Sequence, residues 1–227
     1  MSVKTASPRG VMRTTKTLTA GYRRNRTVVS MPADLLDIGI RFMKELKYKA
    51  RAVSLALKKA KIPHAIIGGL AVAAHVGRVN ESAERNTLDL DILLYRADLQ
   101  AASKALEPLG YRYRRVMNLH AFMPKSGKPK FEDGVHIVWS DEKVRPDYPH
   151  AAPALDPHDL YVASNGVNYL SLEELLRMKL TSFRLKDQVH IQDMLQQKLI
   201  TRKIEHALPA DLQARLEHVK KITENER

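Results

Sequence analysis

Apolar residues recur along the chain with two different periods, which divide it into helices and short strands. An i, i+3, i+4 spacing predicts a first helix that starts at Pro32 and runs to about Lys61, just before Pro63. Runs that alternate or are rich in β-branched and aromatic residues predict five strands: His64–Ile67, Thr87–Leu94, Tyr111–Met117, His120–Pro124 and Val135–Trp139.

Helical patterns lie between these strands. Small apolar residues predict a buried helix over Leu70–Val76, and an amphipathic pattern predicts another over Ala97–Leu109. Glycines follow both segments, at Gly77 and Gly110, where a left-handed residue commonly ends a helix. The central part of the chain is therefore expected to alternate between strands and helices.

The last third of the chain begins with a proline-rich loop over residues 141–168 and then becomes helical. Ser171 and Glu174 form a capping box for a helix that continues towards Gln197. A final helix starts at about Leu208. The order of elements predicts an α+β fold, a mixed β-sheet with flanking helices and a C-terminal helical segment.

Charge sets the N-terminus apart from the rest. Lys and Arg exceed Asp and Glu by 13 over the chain, and the first 30 residues supply seven of these charges without any acid. We expect residues 1–31 to be a basic, disordered tail, residues 32–168 the α/β core and residues 169–227 the helical segment. The tail is interpreted as a nucleic-acid-binding arm, a transit peptide or an extension that precedes a true start at Met31.

Composition excludes several classes of protein. The chain has no cysteine, so disulfides, thiolate catalysis and cysteine-based zinc sites are excluded. No apolar run reaches the ~18 residues that a membrane helix needs, so no membrane partner is expected. Without a secretory apolar segment, the expected location is the cytoplasm. The positive charge favours a polyanionic partner, either nucleic acid or nucleotide phosphate.

Two short motifs carry the candidate chemistry. Gly68-Gly69 lies between a predicted strand and a helix, where backbone N–H groups and the helix dipole can hold a phosphate. Asp89 and Asp91 alternate with leucines on the next strand, so both carboxylates are expected on one face, roughly 6–7 Å apart. Oxygen ligands so placed suit Mg²⁺, alone or as a pair of ions ~3.5–4 Å apart.

Each motif also has an ordinary structural interpretation. A lone Gly-Gly is most often a turn, and a lone Asp-x-Asp is often a solvated strand edge. Their combination favours chemistry, because a strand–helix–strand connection brings the two together.

These motifs support a resemblance. The order Gly-Gly, helix, Asp-hydrophobic-Asp resembles the polymerase-beta-type nucleotidyltransferase superfamily. Arg85–Asp91 is similar to the corresponding segment of the minimal nucleotidyltransferases and AbiEii-type toxins, as is the leucine-rich run from Leu172 to Asp187. The likeness covers roughly Ile62–Leu199 and implies the mixed-sheet nucleotidyltransferase fold.

The resemblance assigns roles to specific residues. It implies that Asp89 and Asp91 bind two Mg²⁺ ions and that Lys179 reaches a phosphate. Asp187 would organise the C-terminal helices or the site. The residues expected to contact the nucleotide are Gly68, Gly69, Arg85, Thr87, Lys179 and Asp187. As alternatives, Lys179 is a solvated helix residue and Asp187 an N-cap.

One position departs from the family pattern. Catalytic members of the superfamily present a third carboxylate on a later strand, where this sequence has His136. His136 is interpreted as a replacement base, a substrate contact, a packed strand residue or a sign that transfer has been lost. Glu132, Asp133 and Asp141 flank the strand and are alternatives if the register differs.

Two functions follow as expectations. The first is a Mg²⁺-dependent enzyme that moves a nucleotidyl group from a nucleoside triphosphate (NTP) to a hydroxyl of RNA, protein or a small molecule. RNA or tRNA and an antitoxin protein are the expected macromolecular partners. The second is a nucleotide- or nucleic-acid-binding module on the same fold that lacks catalysis.

Overall fold

The computed structural model describes residues 33–225, which form seven strands and seven α-helices. The strands are β1 (His64–Ile67), β2 (Leu90–Leu94), β3 (Tyr111–Val116), β4 (Leu119–Pro124), β5 (Val135–Trp139), β6 (Leu160–Val162) and β7 (Asn168–Leu170). The helices are α1 (Ala33–Lys59), α2 (Gly68–Gly77), α3 (Leu99–Leu106), α4 (Leu172–Ser182), α5 (Leu185–Gln196), α6 (Arg202–Ala207) and α7 (Ala210–Asn225).

All seven strands belong to one mixed sheet with the order β3-β4-β5-β2-β1-β7-β6. Antiparallel pairing joins β1 to β2, while β2–β5 and β1–β7 are parallel. Two hairpin pairs, β3–β4 and β6–β7, form the outer edges of the sheet, and β4 pairs antiparallel with β5. The expected α+β class with flanking helices is thereby confirmed.

Alternation along the strands separates a core face from a more open face. Leu90 and Ile92 of β2 are fully buried, while Asp91 between them is partly exposed. The same alternation occurs in β5, where Val135 and Ile137 are buried and His136 is partly exposed. Because directly paired residues point to the same side of a sheet, Asp91 and His136 lie side by side on the more open face.

The helices pack on the sheet in two groups. Helix α1 contacts β1 and α3, and α3 contacts β3. Helix α2 follows β1 directly, contacts β1 and β2, and packs against α4 and α5. Helix α7 packs against both α4 and α5. Helix α2 therefore lies between the sheet and the C-terminal helices.

Most predicted elements are present, with differences in their bounds. The expected strand over Thr87–Leu94 begins only at Leu90, so Asp89 precedes it. The short elements β6, β7 and α6 were not predicted, and β7 straddles the domain boundary expected at residue 168. The three interpretations of the N-terminal tail lie outside the described residues. Among the helices of residues 33–225, none is long and apolar enough to cross a membrane.

Candidate nucleotide site at the start of helix α2

The turn from β1 into α2 brings backbone and carboxylate together. Gly68 adopts a left-handed conformation with φ +73°, which permits the abrupt change from extended strand to helix. A Cβ atom at this position would collide with Oδ2 of Asp91. The Asp91 carboxylate therefore lies directly against the first residue of α2, and the close approach requires glycine.

His136 is the immediate neighbour of Asp91 across the sheet. Its Nδ1 lies 3.3 Å from Asp91 Oδ1, and its Nε2 lies 2.9 Å from the carbonyl oxygen of Phe131. Burial lowers the pKa of His136, but the hydrogen bonds to Asp91 and Phe131 outweigh it and raise the pKa overall. Because both ring nitrogens face oxygen acceptors, the doubly protonated ring fits this position best. Neither nitrogen is then free to accept a proton, which favours a positioning role for His136 over that of a base.

Asp89 lies at the entrance to the same strand and faces a cation. Lys186 Nζ, at the start of α5, is 3.4 Å from Asp89 Oδ2. The side chains of Asp89 and Asp91 remain 35% and 28% exposed, so both carboxylates are accessible to a ligand from solvent. Lys186 is itself 55% exposed and can exchange this weak pair for a ligand phosphate.

Lys179 and Asp187 form a buried ion pair behind the site. Lys179 Nζ donates to Asp187 Oδ1 at 3.0 Å, and their side chains are 7% and 0% exposed. Ser182 Oγ and Arg184 Nε both donate to Asp187 Oδ2 at 2.7 Å. Burial raises the pKa of Asp187, but these donors and the Lys179 charge have the larger, opposite effect and lower the pKa to about 2. The pair joins α4 to α5 and holds Arg184 and Lys186 at the edge of the site.

A second set of buried polar groups surrounds Gly69. Thr87 Oγ1 lies 2.8 Å and His190 Cε1 3.6 Å from the position of a Cβ on Gly69. Both Thr87 and His190 are more than nine-tenths buried, and among the described residues Thr87 Oγ1 and His190 Nδ1 have no hydrogen-bond partner. Burial and the nearby Lys179 charge lower the pKa of His190 to about 4, so the ring is neutral near pH 7.

The predicted site residues thus fall into three groups and one separate residue, Arg85. Asp91 contacts both Gly68 and His136, and Asp89 lies close enough to His136 to help raise its pKa. Gly69 is the second residue of α2 and lies against Thr87. Lys179 and Asp187 pair with each other. Arg85 donates through Nε to both oxygens of buried Asp193 of α5, at 2.8 and 2.7 Å.

Sequence reasoning assigned no site role to three residues of this region: Arg184, Lys186 and His190. The first two belong to the basic segment that ends at Asp187, and their charge was a usable signal. His190 follows Asp187 by three residues, which places both on one face of α5. Its position against Gly69 depends on how α5 docks on α2, which the sequence pattern does not give.

The carboxylates fit a magnesium ion that is shared with a substrate. Within residues 33–225 no group of three acidic or histidine side chains is placed to enclose a metal. Mg²⁺, however, is commonly bound by one or two carboxylates together with substrate phosphates, and keeps several waters. Asp89 and Asp91 provide such a pair, whereas His136 has both nitrogens committed.

Comparisons with known proteins give weak likenesses. No family model matches the chain, and no curated protein matches it. The solution structure of the antibiotic-resistance factor ANT(2'')-Ia is similar, with a TM-score of 0.46 and 16% identity over 81% of this chain and 96% of that chain. The crystal structure of ANT(2'')-Ia in complex with adenylyl-2''-tobramycin has a TM-score of 0.47 and 17% identity, over 77% of this chain and 98% of that chain. The crystal structure of the Megavirus polyadenylate synthase has a TM-score of 0.36 and 8% identity, over 91% of this chain and 38% of that chain. At these scores the likeness is too weak to transfer an activity.

The contact between Gly68 and Asp91 predicts an unequal response of two glycines. Gly68→Ala is expected to lower the free energy of unfolding by clearly more than Gly110→Ala, measured by urea denaturation. Gly110 has a similar φ of +83° but open space around it, so Gly110→Ala measures backbone strain alone, about 1–2 kcal/mol. Equal losses in the two variants would contradict the close approach of Asp91.

The neutral, buried His190 predicts a pH-dependent stability. Its pKa is about 4 in the folded chain against 6.5 in the unfolded chain, so only the unfolded chain takes up a proton between these values. The contribution of His190 to the free energy of unfolding is complete above pH 6.5. As the pH falls from 6.5 towards 4, this contribution decreases by up to about 1.4 kcal/mol per pH unit. In His190→Gln this part of the slope is expected to disappear, whereas the exposed-site control His206→Gln is expected to keep it. Parallel curves for wild type and His190→Gln would show that His190 titrates normally.

Proposed function

We propose that the chain is a nucleotidyltransferase of the polymerase-beta type, which transfers a nucleotidyl group from an NTP to a hydroxyl. The observation that carries this proposal is the packing of the Asp91 carboxylate onto Gly68 at the first turn of α2. It brings the Asp91 carboxylate, with Asp89 two residues before it, to a helix N-terminus, which is where a phosphate and a cation that neutralises it have to meet.

The phosphates of the nucleotide are proposed to lie between the start of α2 and the start of α5. The first turn of α2 offers unpaired backbone N–H groups and the positive end of the helix dipole. Arg184 and Lys186 offer cationic groups from the opposite side, with exposed fractions of 62% and 55%. We assign triphosphate contact to these two exposed side chains, since the Lys179 ammonium is 7% exposed and bound to buried Asp187. Arg184 also donates to Asp187 but remains 62% exposed.

Asp89 and Asp91 would hold Mg²⁺. The ion would supply charge neutralisation at the α-phosphate and at the departing pyrophosphate. The side chains of this chain would position both partners: the helix N-terminus orients the phosphates, and His136 orients Asp91 through the 3.3 Å contact.

The reaction exchanges one phosphorus–oxygen bond for another. The acceptor hydroxyl oxygen forms a bond to the α-phosphorus, the bond to the β-phosphate oxygen breaks, and pyrophosphate leaves. The hydroxyl proton passes to solvent, because His136 has no free lone pair in this arrangement. The AbiEii-type branch and an antitoxin partner stay predictions of the sequence resemblance.

A second candidate function is a nucleotide-binding module without transfer. It is favoured by one observation, the presence of His136 where catalytic members of the superfamily have a third carboxylate. A charged imidazole beside Asp91 would compete with a cation for that carboxylate. The two candidates differ in one product, since only the enzyme releases pyrophosphate.

Neutralising the acidic pair tests the proposal. In Asp89→Asn/Asp91→Asn, Mg²⁺-dependent pyrophosphate release from NTPs is expected to fall by about 100-fold or more, the scale of losing a charge-stabilising group. Binding of Mn²⁺ as a spectroscopic substitute, followed by electron paramagnetic resonance, is expected to weaken as well.

The matched control is Asp37→Asn/Glu45→Gln, which removes the same charge from exposed positions of α1. It is expected to behave as wild type in both assays. Undiminished pyrophosphate release in the Asp89/Asp91 variant would refute the assignment. Nucleotide binding by the wild type without any pyrophosphate release would favour the binding module.

A further inference from the structure

A basic groove lies beside the candidate site, on the outer hairpin of the sheet. We call it the hairpin groove and define it by Arg112 and Arg114 of β3, Ala121 and Met123 of β4, and Pro129 and Phe131 of the following loop. Its volume of about 420 Å³ lies within the usual range for small-ligand sites, about 300–1,000 Å³. It therefore has room for roughly one nucleotide unit.

Strand alternation explains the composition of the groove. Tyr111 and Tyr113 alternate with Arg112 and Arg114 along β3, and the two tyrosines pack against the core. The arginines consequently point to the opposite face, over the apolar floor made by β4. The alternating tyrosines and arginines of β3 thus lie on different faces of the sheet, the tyrosines against the core and the arginines towards solvent.

The groove lies on the same face of the sheet as the candidate nucleotide site. The register pairs Arg114 with Ala121, Ala121 with His136, and His136 with Asp91, so these residues form one row on one face of the sheet. Three strand spacings separate the two ends of the row, about 14 Å. Ala121 occupies the middle of the row, where it lines the groove floor and is itself buried.

Phe131 connects the groove to the site directly. It lines the groove and stacks on His136 with ring centroids 4.2 Å apart and an interplanar angle of 15°. His136 in turn contacts Asp91. A ligand in the groove therefore ends one aromatic ring away from the acidic pair.

The charge of the groove is one-sided. Its lining contains arginines and apolar residues but no acid. Within residues 33–225, the ion pairs that involve an arginine use Arg85, Arg96, Arg177 and Arg184, so the guanidinium groups of Arg112 and Arg114 have no acidic partner there. Unpaired guanidinium groups over an apolar floor suit phosphates joined to flat, stackable bases.

We propose that the hairpin groove binds the end of a single-stranded nucleic acid and presents its terminal hydroxyl to the Asp89–Asp91 site. The phosphates on either side of one nucleotide contact Arg112 and Arg114, while its base lies on the apolar floor towards Phe131. The role as acceptor rests on the proposed transferase function, whereas strand binding itself does not. A single strand is favoured because the floor can stack only bases that are not already paired.

The experiment compares two double variants of the full chain that lose the same charge. Arg112→Ala/Arg114→Ala removes the groove's cations, and Arg202→Ala/Lys203→Ala removes two exposed cations of α6. Binding of a short fluorescein-labelled single-stranded RNA is measured by anisotropy over a range of salt concentrations. ATP binding in the presence of Mg²⁺ is measured on the same samples.

The groove variant is expected to bind RNA about 25-fold more weakly at about 0.1 M salt, and its log–log salt dependence is expected to fall by about 1.4, or 0.7 for each lost phosphate contact. The α6 variant is expected to lose less than about twofold. The N-terminal tail is present in every sample, so its contribution cancels between the variants.

Equal RNA affinities of the two variants would overturn the proposal. So would polyaspartate binding as tightly as the RNA with the same dependence on Arg112 and Arg114, because the groove would then fit an acidic protein. Failure of the proposed function gives a different result: the wild type would bind no ATP, or would bind it without releasing pyrophosphate, while the RNA measurements would still separate the variants.

Discussion

The close contact between the Asp91 carboxylate and Gly68 is the constraint on which the rest of the site depends. Two neighbouring antiparallel strands place Ile67 opposite Asp91, so the residue after Ile67 has to turn away beside that carboxylate. Only a residue without a side chain can make the turn there, because a Cβ would occupy the space of Asp91 Oδ2. Helix α2 therefore starts at the one point of the sheet where an acidic side chain reaches the open face.

Burial around this point explains why the C-terminal helices belong to the site. Asp187 is fully buried, and it is stabilised as a carboxylate by donors from Lys179, Ser182 and Arg184. A buried charge that lost one of these partners would cost several kcal/mol, so the network joins α4 and α5 firmly. Its consequence at the surface is the placement of Lys186 next to Asp89. The buried ion pair of Lys179 and Asp187 thus positions the exposed cations Arg184 and Lys186.

Charge within the site is arranged in opposition. Partly exposed Asp89 faces Lys186, and partly exposed Asp91 faces the His136 ring. Arg184 lies close enough to Asp91 for that carboxylate to help raise its pKa. In a protein with 13 excess positive charges, such a local acidic pair is a place where a cation and a phosphate can both be held. The charge of the chain as a whole is a poor guide to this arrangement, because over half of the excess lies in the first 30 residues.

The sequence predicted those features that depend on local periodicity. Alternation located β3, β4 and β5, and the Gly-Gly and Asp-x-Asp motifs marked two segments that do come together. It missed β6 and β7, since three-residue strands carry too few positions to show a period, and Leu88 and Asp89 extended the pattern of β2 beyond its first paired residue. It could not assign partners across the chain, such as Arg85 to Asp193 or His190 to Gly69, because these depend on how α5 docks against α2.

The most direct test of this account is a crystal structure of the chain with a non-hydrolysable ATP analogue and Mn²⁺, in which anomalous scattering locates the metal. The account predicts a manganese peak between Asp89 and Asp91, with the triphosphate between the start of α2 and the side chains of Arg184 and Lys186. A nucleotide bound elsewhere, or a metal held away from both carboxylates, would contradict it.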